Sequence, residues 1–303
     1  MRILVTGGTG FVGRPLCQRL AEAGHDLLVV SRDPASARDL LPAGARVADT
    51  VMAFAEARPE AIINLAGESI AGKRWSEAQK HRLVDSRVDI TRELVKLCGR
   101  LAESDAAPQV MLSGSAMGYY GDQGDNRGTE ETPPHDEFAH RLCERWEQEA
   151  KAAEAHGVRV VLVRTGLVLE KDGGTLAKML TPFKLGLGGP FGSGRQFMPW
   201  IHREDMLALL EFLLEREDLS GPFNASAPKP ETNAAFTATL ARHLKRPAFM
   251  AVPDCVLKVG LGEMANLLLT GADMRPARLE EAVRRKLQEA QRLDARHAGP
   301  ASD

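Results

Sequence analysis

The sequence begins with an apolar run, a glycine-rich turn and a helix-forming segment that follow one another without a gap. Residues 1–5 are strand formers, and residues 14–21 have helical spacing with Pro15 near their start and Gly24 as a stop signal. The turn between them, residues 6–13, reads TGGTGFVG. Glycine allows the backbone to approach a pyrophosphate closely, and the N–H groups at a helix start attract its charge. The segment therefore predicts a dinucleotide-binding turn, whose contact residues would be Thr6, Gly7, Gly10, Phe11, Val12 and Gly13.

The residues after the second apolar run, 27–30, indicate which dinucleotide binds. A site for NAD places Asp or Glu about 20 residues after the glycines, where the carboxylate binds the ribose 2′-hydroxyl. Ser31 and Arg32 stand there instead, and a hydroxyl and a guanidinium suit a 2′-phosphate. We therefore predict NADP(H), with Ser31 and Arg32 at the phosphate; the alternative for Arg32 is a solvated surface charge. Asp33, followed by Pro34, is predicted to cap a helix.

Strands and helices alternate through residue 164. Further strands are predicted at residues 46–49, 61–67, 109–113 and 159–164, with helices from about 77 to 101 and from 137 to 156. This alternation predicts an α/β fold of the Rossmann type, a doubly wound parallel sheet. Ligands bind at the carboxyl ends of such strands. In this sequence those ends are Leu65, Ala66 and Gly67, of which the last two are small, and the loop of residues 113–121, SGSAMGYYG.

The alternation stops after Leu169. Residues 175–185 are predicted to be a helix, and the turn-rich residues 186–195 either a flexible surface loop or a wall of the substrate cleft. We predict one strand at 197–202, a helix at 204–215, a strand at 222–225, helices at 234–244 and 255–269, a last amphipathic helix from about 279, and a frayed tail at 297–303. Residues 1–170 are thus predicted to form an NADP-binding Rossmann domain, to which segments near 196–226 return. Residues 171–303 are predicted to be mainly a small C-terminal substrate domain.

Composition excludes several classes of partner. The 303 residues carry 39 Lys and Arg against 41 Asp and Glu, so no bulk charge attracts nucleic acid or an anionic membrane. No apolar run has the length of a membrane span. The N-terminus is predicted to enter a strand directly, so no signal peptide is expected. The four cysteines are isolated and no histidines or carboxylates have ligand spacing, which predicts a cytoplasmic protein without a metal. Nothing in the sequence indicates the oligomeric state.

Several segments carry a resemblance to a known family. The turn at residues 6–13 resembles the cofactor motif of the extended short-chain dehydrogenase/reductases. Residues 64–68 (NLAGE), 73–75 (KRW), 118–121 (GYYG), 164–166 (RTG) and 185–190 (LGLGGP) look like one atypical branch of that superfamily. This is the epimerase-like family labelled sugar-nucleotide epimerase, some of whose members are labelled cell-division inhibitor. The resemblance implies an NADP(H)-binding Rossmann domain, a small C-terminal substrate domain and a small-molecule substrate of the sugar-nucleotide kind, without implying a settled reaction.

One departure from the superfamily concerns catalysis. Ordinary members carry a Tyr-x-x-x-Lys pair on the helix that follows their serine-containing loop, the counterpart of residues 113–121. In that pair the lysine lowers the pKa of the tyrosine, which exchanges a proton with the substrate. Aligning Glu147 with the family's glutamate on that helix places Ala139 and Cys143 at the two positions, so the pair is predicted to be absent. A proton donor must then come from the loop, and the candidates are Tyr119, Ser115, Ser113 and Tyr120. The alternative for these hydroxyls is a structural role, with the serines capping the strand and the tyrosines packing in the loop.

Two functions remain open at the level of the sequence. The first is an oxidoreductase or isomerase, an epimerase-like enzyme that uses NADP(H) on a substrate that the sequence does not name. The alternative is a non-catalytic regulatory protein that binds NADP(H), which the retained glycine turn and the lost Tyr-x-x-x-Lys pair would also fit. We favour the enzyme because the loop after the fifth strand keeps hydroxyl groups where a nicotinamide should lie.

Overall fold

The computed structural model describes residues 1–297, with side chains through residue 288. The strands in this range are β1 (Arg2–Thr6), β2 (Asp26–Val30), β3 (Arg46–Ala48), β4 (Ala61–Asn64), β5 (Val110–Ala116), β6 (Arg127–Gly128), β7 (Arg159–Thr165), β8 (Leu167–Glu170), β9 (Phe197–Met198), β10 (Trp200–His202), β11 (Gly221–Ala225), β12 (Glu231–Thr232) and β13 (Asp273–Met274). The α-helices in this range are α1 (Gly13–Glu22), α2 (Pro34–Arg38), α3 (Glu77–Ala102), α4 (Phe138–Lys151), α5 (Gly174–Lys184), α6 (Arg203–Glu215), α7 (Asn233–Leu244), α8 (Asp254–Leu261), α9 (Asn266–Leu269) and α10 (Ala277–His297). The tail predicted at residues 297–303 lies, apart from His297, outside the described residues.

Seven strands of the described chain form one sheet in the order β11-β7-β5-β4-β1-β2-β3, and every pair in it is parallel. The chain moves outward from β1 in one direction through β2 and β3, and in the other through β4, β5, β7 and β11. The strand order thus reverses beside β1, and a ligand-binding crevice is expected there, at the carboxyl ends of the strands. The predicted doubly wound parallel sheet is confirmed.

Helices cover both faces of this sheet, because alternate side chains of each strand point to opposite sides. Ile3 and Val5 pack on one face with α1, α6 and the start of α10. Leu4 packs on the other face with α3 and the residues that follow α4. These strands are continuous apolar runs in the sequence because both of their faces are covered. Helices α3 and α4 each bury one stripe of side chains against the sheet or its neighbours.

The prediction of a single strand at residues 197–202 is wrong, because Pro199 divides this segment into two short strands. Phe197–Met198 pairs antiparallel with β12, and Trp200–His202 pairs parallel with β8. Proline has no N–H to donate to a ladder. Its carbonyl is still used, since it accepts a hydrogen bond of 2.7 Å from the Leu167 amide. Neither piece joins the main sheet.

The helix predicted at residues 255–269 is also interrupted. Gly262 has φ of +62°, a conformation that favours glycine, and it ends α8. A short 3₁₀ turn leads from there into α9. The change of direction carries Glu263 to Lys80 at the start of α3, with which it forms an ion pair.

The carboxyl ends of two central strands differ from the prediction. β4 ends at Asn64, so Leu65, Ala66 and Gly67 lie beyond it instead of inside it. β5 continues to Ala116, three residues past the predicted end at Ser113. It continues because residues 113–116 still pair with β7. Ser113 and Ser115 consequently lie in a buried strand and not in a loop.

The second half of the chain returns to the sheet before it ends. β11 adds to the edge of the sheet beside β7, and α6 and the start of α10 pack on the same core. The segments from α5 through β10 and from β12 through β13 lie outside the seven strands. The domain division at residue 170 stays a prediction. Within the described residues, no helix combines the length and the apolar composition that a membrane span requires.

Candidate active site

The glycine turn folds back tightly on itself between β1 and α1. Gly7 has φ of +72°, its carbonyl accepts a hydrogen bond of 3.0 Å from the Gly10 amide, and the Arg14 amide donates to the Gly10 carbonyl at 3.0 Å. A Cβ on Gly13 would lie 2.1 Å from the Gly7 carbonyl oxygen. A side chain at Gly13 would therefore force the backbone of the turn to shift.

The turn has free amides at its helix end that could bind a ligand. In the described part of the chain, the N–H groups of Phe11 and Val12 donate to no protein acceptor. They stand at the N-terminus of α1, where the helix dipole also favours an anion. A cavity of about 660 Å³ opens beside the turn, with Thr9, Gly10 and Phe11 in its lining. These free amides suit the pyrophosphate of a dinucleotide, and its binding at this turn stays a prediction.

Replacing Gly13 with alanine is expected to destabilise the fold, because the new methyl group must push the Gly7 carbonyl aside. Overpacking of this kind costs about 1–3 kcal/mol in the free energy of unfolding. Urea denaturation measures that loss, and NADPH titration of the folded variant should show weaker binding. Gly260→Ala is the matched control, since a Cβ on Gly260 meets nothing within 4 Å. Equal losses in the two variants would contradict the role given to Gly13.

Thr6, a predicted cofactor residue, is buried and bonded within the protein. Its hydroxyl donates to the Asn64 side chain at 2.7 Å and accepts from the Ala66 amide at 3.3 Å. It thereby ties the ends of β1 and β4 together. Leu65 and Ala66 are half-buried and Gly67 is exposed just beyond β4, so these three border the crevice. The Thr6 side chain thus positions the ends of β1 and β4 from inside the protein and does not itself face the crevice.

Ser31 and Arg32 lie at the end of β2, on the same edge of the sheet. Arg32 is exposed, whereas Ser31 is half-buried and exchanges hydrogen bonds with the backbone of Asp33. Asp33 caps α2 as predicted, by accepting from the Ser36 amide. The pKa of Glu68 is lowered first by its hydrogen bond from Gln79, and further by nearby positive charges that include Arg32. Arg32 therefore lies at the carboxyl end of β2 with an exposed side chain, where it could meet a phosphate.

Three of the four hydroxyls considered for proton transfer are buried in bonds within the protein. Ser113 accepts from Asn64 at 3.3 Å, and Ser115 donates to Glu147 at 2.7 Å. Tyr120 donates to Asn224 at 2.6 Å, and burial raises the pKa of its phenol to about 12. These side chains hold the end of β5 in place.

Tyr119 is the candidate that remains available. It is half-buried, and its ring lies over the Arg164 guanidinium, 3.3 Å from ring centroid to Cζ. Tyr120 and His140 meet the ring edge to face, each with a centroid distance of 5.4 Å. Its hydroxyl has no hydrogen-bond partner among the described residues. The ring is thus held in position while the hydroxyl is free for a ligand.

Beneath Tyr119 lies a buried ion pair that sequence reasoning missed. Arg164 donates to both carboxylate oxygens of Glu147, at 2.8 and 3.0 Å, and also to the hydroxyl of Tyr120 at 3.1 Å. The two side chains are 4% and 3% exposed. Burial opposes the charge of Arg164, but Glu147 outweighs it and the pKa of the guanidinium is raised. An arginine at the end of an apolar strand was the available signal.

The positions at which the sequence predicts the loss of a Tyr-x-x-x-Lys pair hold small, uncharged side chains. Ala139 is buried under Gly118, whose Cβ would lie 3.0 Å from that of Ala139. Burial, followed by the charge of Glu147, raises the pKa of the Cys143 thiol to about 12. Neither residue can supply a charge or exchange a proton near neutral pH.

The sequence and the fold are similar to those of known proteins. A family model described as the NAD dependent epimerase/dehydratase family matches residues 3–226, and the epimerase family protein SDR39U1 of Mus musculus is 38% identical over 286 residues. The chain belongs to the NAD dependent epimerase/dehydratase family. The alignment with the mouse protein covers 92% of this chain and 92% of the mouse protein. Epimerase family protein YfhF of Bacillus subtilis is 35% identical over 91% of this chain and 90% of its own length. The predicted relationship to the epimerase-like branch is confirmed.

A second family model and two solved structures extend this relationship. A domain of unknown function, DUF1731, matches residues 252–282. The crystal structure of human epimerase family protein SDR39U1 with NADPH superposes with a TM-score of 0.79 at 34% identity, covering 92% of each chain. UDP-glucose 4-epimerase from Thermotoga maritima, solved with UDP-glucose, has a TM-score of 0.67 at 20% identity, covering 84% of this chain and 86% of its own. This second likeness shows the shared fold alone.

Proposed function

We propose that this epimerase family member binds NADP(H) and acts as an oxidoreductase or isomerase in which Tyr119 exchanges a proton with the substrate. The observation that carries this proposal is the free hydroxyl of Tyr119 on a ring held by Arg164, Tyr120 and His140. A group that transfers protons needs a fixed position and an open hydrogen-bond site. A fixed position without an open hydrogen-bond site is found at the other three hydroxyls, those of Ser113, Ser115 and Tyr120.

NADP(H) as the cofactor is supported from two directions. The free amides of Phe11 and Val12 suit a pyrophosphate, and the exposed Arg32 suits a 2′-phosphate. Independently, the human relative at 34% identity was crystallised with NADPH. We propose that Gly7, Gly10 and Gly13 shape the turn for the pyrophosphate, and that Leu65, Ala66 and Gly67 line the path of the cofactor.

The proposed roles of the side chains follow from their positions. When bound, NADP(H) supplies or accepts a hydride at its nicotinamide ring. Tyr119 donates a proton to the substrate oxygen during reduction, and solvent returns a proton to the phenolate. Arg164 holds the ring of Tyr119 from below, and Glu147 holds Arg164. The substrate is proposed to be a small molecule, and sugar nucleotides are the first class to test.

Wild-type protein is expected to bind NADPH tighter than NADH, and Arg32→Ala to remove most of this preference. A charge-assisted hydrogen bond contributes about 1.5–3 kcal/mol, which corresponds to roughly tenfold to hundredfold in the dissociation constant. Titration of both cofactors into both proteins measures it, with Arg38→Ala in α2 as the matched surface control. Equal affinities of the wild type for NADPH and NADH would refute the role of Arg32.

The experiment that tests the function is cofactor turnover on a panel of carbonyl compounds and sugar nucleotides. An enzyme should oxidise NADPH or reduce NADP⁺ with one class of substrate, or interconvert sugar-nucleotide epimers at catalytic cofactor. The second candidate is a regulatory protein that binds NADP(H) without turnover, which the uncharged Ala139 and Cys143 favour. Tight NADPH binding without turnover on the whole panel would support this second candidate.

A further inference from the structure

One arginine of α3 lies against the crevice without any role so far. A Cβ on Gly67 would lie 2.9 Å from the Cζ atom of Arg87, so the guanidinium fills the space beside this glycine. Arg87 also donates to the Glu68 carbonyl at 2.9 Å and to the Leu83 carbonyl at 2.9 Å. Its guanidinium is therefore fixed at the carboxyl end of β4, where the cofactor is proposed to pass.

The other side of Arg87 faces α4 at the place of the missing lysine. The Cζ atom of Arg87 lies 5.3 Å from the centroid of the Trp146 ring. Three residues earlier on α4 is Cys143, at the lysine position, and the charge of Arg87 is close enough to oppose the rise in the pKa of its thiol. A positive charge is thus present beside the position that the lysine leaves empty, but it comes from a different helix.

Arg87 also has hydrogen-bonding capacity to spare. A guanidinium carries five N–H donors. The bonds to the carbonyls of Leu83 and Glu68, and a longer one of 3.4 Å to the Ser86 hydroxyl, use Nη1 and Nη2. The Nε–H group has no acceptor in the part of the chain that the structure describes. A donor that is already oriented loses little entropy when it binds a ligand.

We infer that Arg87 is a cofactor-binding residue, which takes the place of the missing lysine and donates to a sugar or phosphate oxygen of bound NADP(H). This inference rests on the proposed binding of NADP(H). The oxygen belongs to a part of the dinucleotide that NADPH and NADH share, because Arg32, and not Arg87, stands at the end of β2. A purely structural Arg87 would only hold the Glu68 carbonyl.

The test is titration of NADPH and NADH into the full chain carrying Arg87→Gln, Arg87→Lys or Arg92→Met. Glutamine keeps a donor for the Glu68 carbonyl but removes the charge. It is expected to weaken both cofactors by the same factor, roughly tenfold to hundredfold. Lysine keeps the charge but not the guanidinium geometry, and is expected to weaken both by about tenfold. Arg92 lies on the same helix with a side chain that is 46% exposed, so Arg92→Met should bind both as the wild type does.

The shared loss separates Arg87 from Arg32, whose removal should weaken NADPH alone. Melting temperatures with and without NADPH separate binding from stability, because a structural role lowers both values and leaves the shift between them unchanged. Wild-type affinity for both cofactors in Arg87→Gln would overturn the inference. If Arg87→Gln does not fold, unchanged affinities in Arg87→Lys would overturn it. A wild type that binds neither cofactor would instead reject the proposed function.

Discussion

Tyr119→Phe is expected to lower turnover by about 10²–10⁴-fold, the usual contribution of a positioned proton donor. The ring and its contact with the Arg164 guanidinium stay, since only the hydroxyl is removed. Stability and NADP(H) affinity should therefore remain close to those of the wild type. Steady-state rates with the substrate found in the panel, together with an NADPH titration, measure both parts of this prediction.

Ser115→Ala and Tyr120→Phe are the controls for Tyr119. Both hydroxyls are bonded inside the protein, Ser115 to Glu147 and Tyr120 to Asn224. Their removal should lower stability by about 1–3 kcal/mol each, because a buried partner is left unsatisfied. The rate per folded molecule should change much less than in Tyr119→Phe. If Tyr119→Phe turns over at the wild-type rate, the hydroxyl of Tyr119 is not the proton donor.

Removing one partner of the Glu147–Arg164 pair is expected to cost about 3–5 kcal/mol in the free energy of unfolding. Glu147→Gln leaves a buried guanidinium without its counter-charge, and Arg164→Met leaves a buried carboxylate. Arg164→Met also removes the support of the Tyr119 ring, so it should lower turnover as well. Urea denaturation measures the stability of each variant.

An exposed ion pair gives the matched comparison. Arg92 bonds Glu149 at 3.1 Å, but these side chains are 46% and 22% exposed. Pairs of this kind contribute about 0–1 kcal/mol. Glu149→Gln should therefore be nearly neutral. If Glu147→Gln and Glu149→Gln lowered the free energy of unfolding equally, burial would not explain the contribution of the Glu147–Arg164 pair to stability.

The glycine turn and the α/β alternation could be predicted because their signals are local. Gly7, Gly10 and Gly13 act within a few residues of one another, and the strand runs are continuous because both faces are covered. Asp33 likewise caps the helix that begins one residue later. In each case the cause and its effect lie in the same short stretch of sequence.

The state of the candidate hydroxyls could not be predicted, because it depends on distant partners. Tyr120 meets Asn224 from a position 104 residues earlier, and Ser115 meets Glu147 across 32 residues. The sequence shows a hydroxyl but not the acceptor that occupies it. Arg87 was missed for the same reason, since its contact with Gly67 forms only when α3 packs beside β4. The free hydroxyl of Tyr119 is recognisable only after these partners are known.

Because β11 returns to the sheet, recombination between homologous genes cannot replace the C-terminal half of this fold without also changing its core. The chain leaves the sheet after β7, comes back for β11 and closes with α10 on the same core. A single crossover between two homologous genes near residue 190 would therefore combine one parent's strands with the edge strand and covering helices of the other. Met206 and Leu210 of α6 would then meet an unmatched core. The segments outside the sheet are therefore expected to be exchanged as paired insertions around β11 more readily than as one transferred C-terminal half.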